Sequence, residues 1–456
     1  MQFVSTRGAA PPASFSDVLL AGLAPDGGLY LPASWPQVSD RFHGMRYQDA
    51  AIRILSEFTR GSFSDAELRS AVEAAYAGFD AAAIAPLSEI GDGRYLLELF
   101  HGPTLAFKDI AMQVLGQLFS RALAKRGGRA TVVAATSGDT GSAAIAALGG
   151  LPNIDVFVMH PRGRVSDVQR LQMTTCAHAN VHNIALNGSF DDAQSIVKSL
   201  FADKAFANEI SLTAVNSINF ARIAAQCVYY FTATAALDKP ATFVVPTGNF
   251  GDIFAGEAAG RMGLDVARLV IATNANDILA RTLNEGVYAS GASHATLSPS
   301  MDIQVASNFE RALFEAAQRD ADWTSAAMSD FARSRKLELP TPVLSELRIR
   351  YSAFASNDDE TRAAIKAVFR LTGRIIDPHT AVGVAAAMKM GKPLSPVVIL
   401  STAHPAKFPQ AVSEAIGQAP PQPERLSGLK NLPERLDVLD KDPVLIQRFI
   451  SSRLAP

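Results

Sequence analysis

The sequence predicts an α/β protein built on open, largely parallel sheets with helices on both faces. The main observation is a regular alternation of short apolar strands and helical patterns, which begins at about residue 94 and is typical of chains of βαβ units. The second observation is that loops rich in glycine and short polar residues directly follow several of these strands. Open α/β sheets form their ligand crevices at this edge, so a small-molecule site is expected there.

Residues 1–93 are predicted to form a mainly helical N-terminal domain. Helices are expected at 15–23, 47–58 and 64–76. Ser64, with Glu67 three residues later, has the capping-box pattern that begins a helix. A short extended piece at residues 29–32 follows the first of these helices.

The strand and helix alternation divides the rest of the chain into two α/β domains, residues 94–240 and 241–456. Predicted strands lie at 95–99, 131–135, 156–159, 181–186, 212–215, 242–245, 269–273 and 397–400. Predicted helices lie at 108–126, 142–148, 166–175, 190–201 and 219–235, and another begins at 253. Residues 290–395 are less regular and are expected to hold insertions around the core.

The composition argues against several classes of protein. The 456 residues are 48% hydrophobic and 19% charged, as in an ordered globular chain of two or three domains. A net charge of -2 argues against nucleic-acid binding, and the lack of a long apolar run argues against a membrane span. The first ten residues do not form a signal peptide, and the two cysteines stand alone, so a reduced, cytoplasmic protein is expected.

Lys108 is the residue around which the candidate site is organised. It follows the helix-breaking pair Gly102-Pro103 and lies in the first turn of a helix with an apolar face. The positive end of the helix dipole disfavours a cation there and shifts the amine toward its neutral, nucleophilic form. Such an amine can form a Schiff base with an aldehyde cofactor. Taken alone, Lys108 is also compatible with a solvated lysine near a helix end.

Two strand-to-helix loops are predicted anion sites, because backbone N–H groups and a helix N-terminus converge in each. In the first loop, Thr136 to Gly141, the carboxylate of Asp139 would repel an anion and is better suited to an amine, imine or hydroxyl. The second loop, Gly248 to Asp252, lacks the Gly-Lys-Ser/Thr ending of a Walker A loop and the spacing of a dinucleotide site. Either loop is alternatively a plain tight turn.

Two further clusters carry polar groups that suit a small anionic ligand. Arg222 is expected one turn into a helix, near Asn216 and Ser217, where the three side chains can hold a phosphate. A capped helix with a solvated arginine is the alternative. The loop Ser401 to Lys407 follows a predicted strand, and its short hydroxyls can meet a ring nitrogen.

The sequence gives little support to a metal site or to a serine hydrolase. His178 and His182 lack the spacing of a metal site, and neither cysteine adds to one. No Gly-x-Ser-x-Gly elbow supports a serine hydrolase. Arg162 and Arg164 follow a predicted strand and either add positive charge to the site or lie on the surface.

Together, the lysine after a Pro-Thr turn, the donor-rich loop and the Gly-Asn-Phe-Gly loop resemble the pyridoxal-phosphate enzymes of the tryptophan-synthase-β fold type, called fold type II. The likeness is closer to the threonine synthase family. The matching stretches run nearly from end to end: 5–8, 26–32, 101–109, 135–141, 216–222, 248–252, 298–303, 307–311 and 401–407.

The resemblance implies a role for each candidate residue. Lys108 would hold pyridoxal 5'-phosphate as a Schiff base. The other cofactor-binding residues would be Gly248, Asn249, Phe250, Gly251 and Asp252 around the phosphate, and Thr402 at the ring nitrogen. The substrate-binding residues would be Ser137, Gly138, Asp139 and Thr140 near the carboxylate, and Asn216, Ser217 and Arg222 at the substrate phosphate.

The resemblance also implies the activity. O-phospho-L-homoserine and water would give L-threonine and phosphate by elimination and β-hydration, with Lys108 as the base. A phospholyase or dehydratase that gives 2-oxobutyrate is the nearer alternative, and a non-catalytic binding protein is the more distant one. The expected partners are the small-molecule substrate and, at most, a second copy of the chain, because a monomer or homodimer is expected.

Overall fold

The computed structural model describes residues 1–213 and 215–454. The α-helices are α1 (Phe15–Ala21), α2 (Tyr47–Thr59), α3 (Asp65–Tyr76), α4 (Lys108–Arg126), α5 (Asp139–Leu148), α6 (Asp167–Thr174), α7 (Phe190–Ala202), α8 (Lys204–Glu209), α9 (Phe220–Leu237), α10 (Gly251–Arg261), α11 (Ile278–Glu285), α12 (Phe309–Ala316), α13 (Ala321–Ser334), α14 (Thr341–Arg350), α15 (Asp358–Thr372), α16 (Pro378–Lys389), α17 (Pro409–Ile416), α18 (Glu424–Ser427) and α19 (Pro443–Arg453). The strands are β1 (Gln2–Ser5), β2 (Ala13–Ser14), β3 (Tyr30–Pro32), β4 (Leu87–Gly91), β5 (Arg94–Glu98), β6 (Ala130–Ala135), β7 (Ile154–Pro161), β8 (Val181–Asn187), β9 (Leu212–Thr213), β10 (Ala241–Pro246), β11 (Val266–Thr273), β12 (Val287–Ala289), β13 (Lys336–Glu338), β14 (Tyr351–Ala355), β15 (Val397–Ser401) and β16 (Asp437–Asp440). Short 3₁₀ turns lie at Pro299–Met301, Pro405–Lys407 and Leu429–Asn431.

Two sheets organise the described residues. The larger sheet has the strand order β14-β11-β10-β15-β5-β4 and is parallel up to β5, where β4 joins antiparallel. The smaller sheet has the order β16-β8-β7-β6-β9, and each of its pairs is parallel. The predicted fold class, two open and mostly parallel sheets flanked by helices, is confirmed.

Helices cover both faces of the sheets, which explains the continuous apolar runs of the strands. In β10, Phe243 packs against the ring of Tyr230 from α9, with the ring centroids 4.7 Å apart. The next residue, Val244, points to the opposite face and belongs to the apolar cluster that includes Val382 of α16. All residues of β10 are therefore buried, whichever face of the sheet their side chains lie on.

The N-terminal region contains the three predicted helices, α1 to α3. Ser64 caps α3 by accepting from the backbone N–H of Glu67, and the Glu67 side chain accepts from the Ser64 backbone, so the predicted capping box is confirmed. A small antiparallel sheet, β2-β1-β3, accompanies these helices. The sequence did not predict β1 and β2, because strands of two to four residues carry almost no alternation signal.

The expectation that residues 290–395 are less regular is wrong, and the expectation that they hold insertions around the core stays a prediction. This stretch holds the helices α12 to α16, and β14 is an edge strand of the larger sheet. The strand was missed because its sequence, Tyr-Ser-Ala-Phe-Ala, contains no β-branched residue. No helix among residues 1–213 and 215–454 is both long and apolar enough to cross a membrane.

The strands cross the predicted domain boundaries. Strand β5 lies in the larger sheet beside β15, and the C-terminal β16 pairs with β8 in the smaller sheet. The division at residues 93 and 240 stays a prediction. Of the predicted strand 212–215, β9 covers Leu212–Thr213, and Ala214 lies outside the described residues.

Gly116 is expected to be essential for the packing of α4 on α5. A Cβ atom at this position would lie 2.5 Å from the backbone carbonyl oxygen of Ala147, which cannot move without shifting α5. Gly116→Ala should therefore lower the free energy of unfolding by about 2 kcal/mol. Gly260, near the end of α10, is the control, because its nearest neighbour, Val266, would be 3.9 Å away and alanine favours a helix by about 0.5 kcal/mol or more. Urea unfolding of both variants tests this, and equal stabilities would contradict the packing argument.

Candidate active site

A cavity of about 360 Å³ opens where the carboxyl ends of β6, β10 and β15 meet. This is the edge at which parallel sheets place their ligands. Much of its polar lining comes from five parts of the chain that the sequence had singled out. The lining residues from those parts are Lys108, Asp139, Thr140, Asn216, Ser217, Arg222, Gly248, Asn249, Phe250, Gly251, Asp252 and Thr402.

Lys108 lies in the first turn of α4, as predicted, and is 8% exposed. Its Nζ is 3.5 Å from Oδ2 of Asp139 and 4.9 Å from the centre of the Phe107 ring. Burial lowers the pKa of Lys108; the negative charge of Asp139 opposes this, while the cations Lys407 and Arg222 lower the pKa further. The result is an amine that loses its proton more readily than a surface lysine and can then act as a nucleophile or base.

Asp139 begins α5 and is almost completely buried. Its Oδ1 lies 2.7 Å from Nζ of Lys407, in an ion pair, and accepts from Nε2 of Gln169 at 2.9 Å. Burial alone would raise the pKa of Asp139, but the positive charges of Lys407 and Lys108 lower it well below its usual range. The structure thus places this carboxylate between two amines, in keeping with the prediction that it suits an amine better than an anion.

In the loop from Thr136 to Gly141, some of the backbone N–H groups form hydrogen bonds within the loop and are not available to a ligand. The hydroxyl oxygen of Thr136 accepts from the backbone N–H groups of Gly138 and Gly141, both at 2.9 Å. Gly138 has φ +138°, and a Cβ atom there would lie 2.4 Å from Cδ of Gln169, so only glycine fits. Ser137 is exposed, and neither Ser137 nor Gly138 contributes to the cavity lining, whereas Asp139 and Thr140 do.

The loop from Gly248 to Gly251 is braced from outside the predicted site. Asn308 donates to the carbonyl oxygen of Asn249 from its backbone N–H at 3.0 Å and from Nδ2 at 2.9 Å. Phe250 takes the left-handed conformation, φ +65°, immediately before α10 begins at Gly251. The N-terminus of α10 therefore points into the cavity, a geometry that binds anions.

The Asp252 side chain is hydrogen-bonded to two tyrosine hydroxyl groups, whereas the preceding loop residues contribute their backbone to the site. Its Oδ1 accepts from the hydroxyl groups of Tyr229 and of Tyr230, the latter at 3.2 Å. Burial raises the pKa of Asp252 to about 6, against the effect of these two hydrogen bonds. A carboxyl group that is easily neutralised can lie beside an anion site with little repulsion.

Arg222 carries a buried charge without a complete set of partners. It is 4% exposed, and its Nε and Nη1 atoms have no acceptor in the described part of the chain. Burial lowers the pKa of Arg222 to about 10, which leaves the guanidinium charged at neutral pH. An unpaired buried cation is destabilising, and because this one lines the cavity with Asn216 and Ser217, the cluster is suited to a bound anion.

The loop after β15 joins the site to the start of α4. The carbonyl oxygen of Thr402 accepts from the backbone N–H of Phe107 at 2.8 Å, and Thr402 lines the cavity. Nδ1 of His404 accepts from the backbone N–H of Ala406 at 3.1 Å, and burial lowers the pKa of His404 to about 4. His404 is therefore neutral at neutral pH and has a structural role.

Some residues that line the cavity were not predicted from the sequence. His379 lines the cavity with Ser300; its Nδ1 lies 2.8 Å from Oδ2 of Asp377, and its Nε2 accepts from the Ser300 backbone N–H at 3.3 Å. The run Asp377-Pro378 was a readable helix start, but nothing local indicated a site. His, Cys, Asp and Glu side chains within the two described segments form no group of three that could hold a metal ion.

Comparison with known proteins identifies the class to which this fold and site belong. The family model described as "Pyridoxal-phosphate dependent enzyme" matches residues 85–337, so the chain is an enzyme of that class, and the predicted cofactor is confirmed. Models described as "Threonine synthase N terminus" and "Threonine synthase, C-terminal" match residues 2–76 and 380–450. The chain belongs to the threonine synthase family.

Individual relatives agree with this assignment along the whole chain. The threonine synthase of Pseudomonas aeruginosa is 48% identical over 99% of this chain and 98% of its own. A crystal structure of threonine synthase from Brucella melitensis with bound pyridoxal phosphate is 48% identical, covers 99% of both chains and superposes with a TM-score of 0.97. The yeast threonine synthase structure is 36% identical, with a TM-score of 0.94 over 99% of this chain and 98% of its own.

Proposed function

We propose that the protein converts O-phospho-L-homoserine and water into L-threonine and phosphate, with Lys108 as its central residue. The observation that carries the proposal is that a buried amine of lowered pKa and a buried, incompletely paired guanidinium line one cavity. The first suits a carbonyl cofactor, and the second suits a phosphorylated substrate. Membership of the threonine synthase family supports both assignments.

The residues of the cavity fit pyridoxal phosphate. When bound, the cofactor supplies an aldehyde that combines with amines and a ring that accepts electron density from the neighbouring carbon atoms. The loop Gly248 to Asp252 at the start of α10 would hold its phosphate. A Cβ atom at Gly248 would lie 3.0 Å from both Cδ1 of Ile303 and the Ser300 carbonyl oxygen. The position therefore favours glycine, whose bare backbone can lie close to a ligand.

Thr402 would meet the ring nitrogen of the cofactor. A hydroxyl group can donate or accept, so unlike a carboxylate it does not require the ring nitrogen to carry a proton. Its position is held by the backbone, because the Thr402 carbonyl oxygen accepts from Phe107 and its N–H donates to the hydroxyl of Thr380 at 3.2 Å. Thr402 is thereby fixed next to the residue that precedes Lys108.

The substrate phosphate would bind to Arg222, Asn216 and Ser217. These residues offer charge-assisted and neutral hydrogen bonds from one end of α9, and Nε and Nη1 of Arg222 are available for them. Thr140, with Ser137, Gly138 and Asp139, would lie near the substrate carboxylate. Of this group, Thr140 is the donor best placed in the cavity, because Asp139 is held by Lys407.

Lys108 would move the substrate protons. Once its amine is free it can take the proton from the substrate α-carbon, and its lowered pKa makes the unprotonated form more abundant than in a surface lysine. The same amine is available for the later transfers as phosphate leaves from Cγ and water adds at Cβ. Burial of Lys108 and Asp139 limits competing reactions with solvent.

Product analysis with O-phospho-L-homoserine tests the proposed activity. The expected result is release of phosphate and L-threonine in equal amounts, with little 2-oxobutyrate, measured by chromatography and a phosphate assay. Phosphate with 2-oxobutyrate and no threonine would favour the phospholyase or dehydratase alternative. The expected assembly, a monomer or homodimer, and the expected cytoplasmic location stay predictions.

A further inference from the structure

A second lysine, Lys407, lies buried behind the proposed active-site lysine. It ends the 3₁₀ turn Pro405–Lys407 and is 0% exposed. Its Nζ donates to the carbonyl oxygen of Thr104 at 2.8 Å and forms an ion pair with Asp139, 2.7 Å from Oδ1. It is not among the residues that line the cavity, so its effect on a ligand must be indirect.

Asp139 is shared unequally between the two lysines. The N–O distance is 2.7 Å to Lys407 but 3.5 Å to Lys108. The attraction between ionised groups becomes stronger as the distance between them falls. The carboxylate charge is therefore compensated mainly by Lys407, and Lys108 is left with a weak partner and two neighbouring cations, Lys407 and Arg222.

We propose that Lys407 is a positioning residue that acts through Asp139: by holding this carboxylate, it prevents a tight ion pair with Lys108 and keeps the Lys108 amine able to lose its proton. This inference rests on the proposed role of Lys108. Without the Lys407 charge, Asp139 would be free to pair with Lys108 alone, and the ion pair would stabilise the protonated amine.

The other groups around Asp139 do not replace the Lys407 charge. Gln169 donates from Nε2 at 2.9 Å, and Ser300 donates from its hydroxyl at 3.4 Å, but both are neutral. His379 contributes a weaker charge interaction than either lysine, and its ring is held by Asp377 and by the Ser300 backbone N–H. Lys407 is thus the main positive partner of Asp139 besides Lys108.

Substitutions at the two ends of the Lys407–Asp139 ion pair should shift the pKa of Lys108 in opposite directions. Lys407→Gln keeps a polar donor but removes the charge, so Lys108 should hold its proton to higher pH. Asp139→Asn removes the attracting charge, so Lys108 should lose its proton at lower pH. The measurement is trace acetylation of the full chain, stripped of cofactor, with acetic anhydride from pH 6 to 10. Mass spectrometry would follow Lys108 relative to the exposed Lys239.

At pH 7, Lys108 labelling should fall about tenfold in Lys407→Gln and rise in Asp139→Asn, since one pKa unit is a tenfold change in free amine. The acid limb of kcat of the holoenzyme, which reports the enzyme–substrate complex in which the Lys108 amine would be free, should move in the same directions. Labelling unchanged in Lys407→Gln, or shifted the same way in both variants, would overturn the inference. If Lys407→Gln does not fold, Lys407→Arg provides the test. Because arginine retains the positive charge, the pH midpoint of Lys108 labelling should equal that of the parent protein, and a different midpoint would overturn the inference.

This experiment separates the inference from the proposed function. Acetylation reports the Lys108 amine in the absence of cofactor and substrate. An unshifted midpoint with a fully active enzyme would therefore remove only the role of Lys407. Loss of the Lys108 role itself would show instead as retention of the cofactor by a Lys108 variant.

Discussion

The Lys108→Ala variant is expected to lose the visible absorption of the bound cofactor and to turn over substrate about 10⁴-fold more slowly, the upper end of what one proton-transferring residue contributes. Both effects have one cause, because the same buried amine would anchor the cofactor and move the substrate protons. Absorption spectroscopy of the purified protein and a steady-state phosphate assay measure the two effects. The helix should remain intact, since alanine is a good helix former.

Lys125 provides the matched control at the other end of the same helix. It is exposed and forms an ion pair with Glu67 at 2.8 Å, far from the cavity lining. Lys125→Ala should keep the cofactor absorption and full activity. Retention of both properties by Lys108→Ala would show that another group anchors the cofactor.

Arg222→Met is expected to lower kcat/KM about a hundredfold without lowering stability. The loss would come from the charge-assisted contacts to the substrate phosphate, which are worth a few kcal/mol in a buried site. The stability should be unchanged or raised, because the substitution removes a buried cation whose Nε and Nη1 lack partners. Cofactor absorption should also be retained, since the cofactor phosphate is assigned to the loop at residues 248–252.

Arg311 is the matched control for the effect of burial. It is also buried, but it is held by the carbonyl oxygens of Tyr30 and Ile218, the latter at 2.7 Å, and by the Asn308 side chain. Arg311→Met should therefore destabilise the protein by about 3 kcal/mol or more, because these acceptors would lose their donor. Equal stability losses in the two variants, or normal substrate kinetics in Arg222→Met, would contradict the assignment of Arg222.

Local sequence signals predicted the parts of the fold that depend on neighbouring residues. The capping box at Ser64, the start of α4 at Lys108 and the loops after β6 and β10 were all readable, because caps, turns and apolar strands leave short-range patterns. The resemblance to a known family then supplied the cofactor and the expected roles. The confirmed fold class and family follow from these two sources together.

Long-range pairing explains what the sequence did not predict. The contact between Asp139 and Lys407, and the bracing of Asn249 by Asn308, join residues far apart in the chain. The internal hydrogen bonds of Thr136, which occupy the N–H groups of Gly138 and Gly141, depend on loop geometry rather than composition. Edge strands such as β14 and β16 are stabilised mainly by the neighbouring strand, so their own sequences carry a weak signal.

Covalent capture of the cofactor by Lys108 can be measured directly. The holoprotein would be reduced with borohydride, digested and mapped by mass spectrometry, so that the residue attached to the cofactor is identified. The expected result is cofactor-derived mass on the peptide that carries Lys108. Cofactor mass on Lys407 or any other lysine, with Lys108 unmodified, would contradict the central claim.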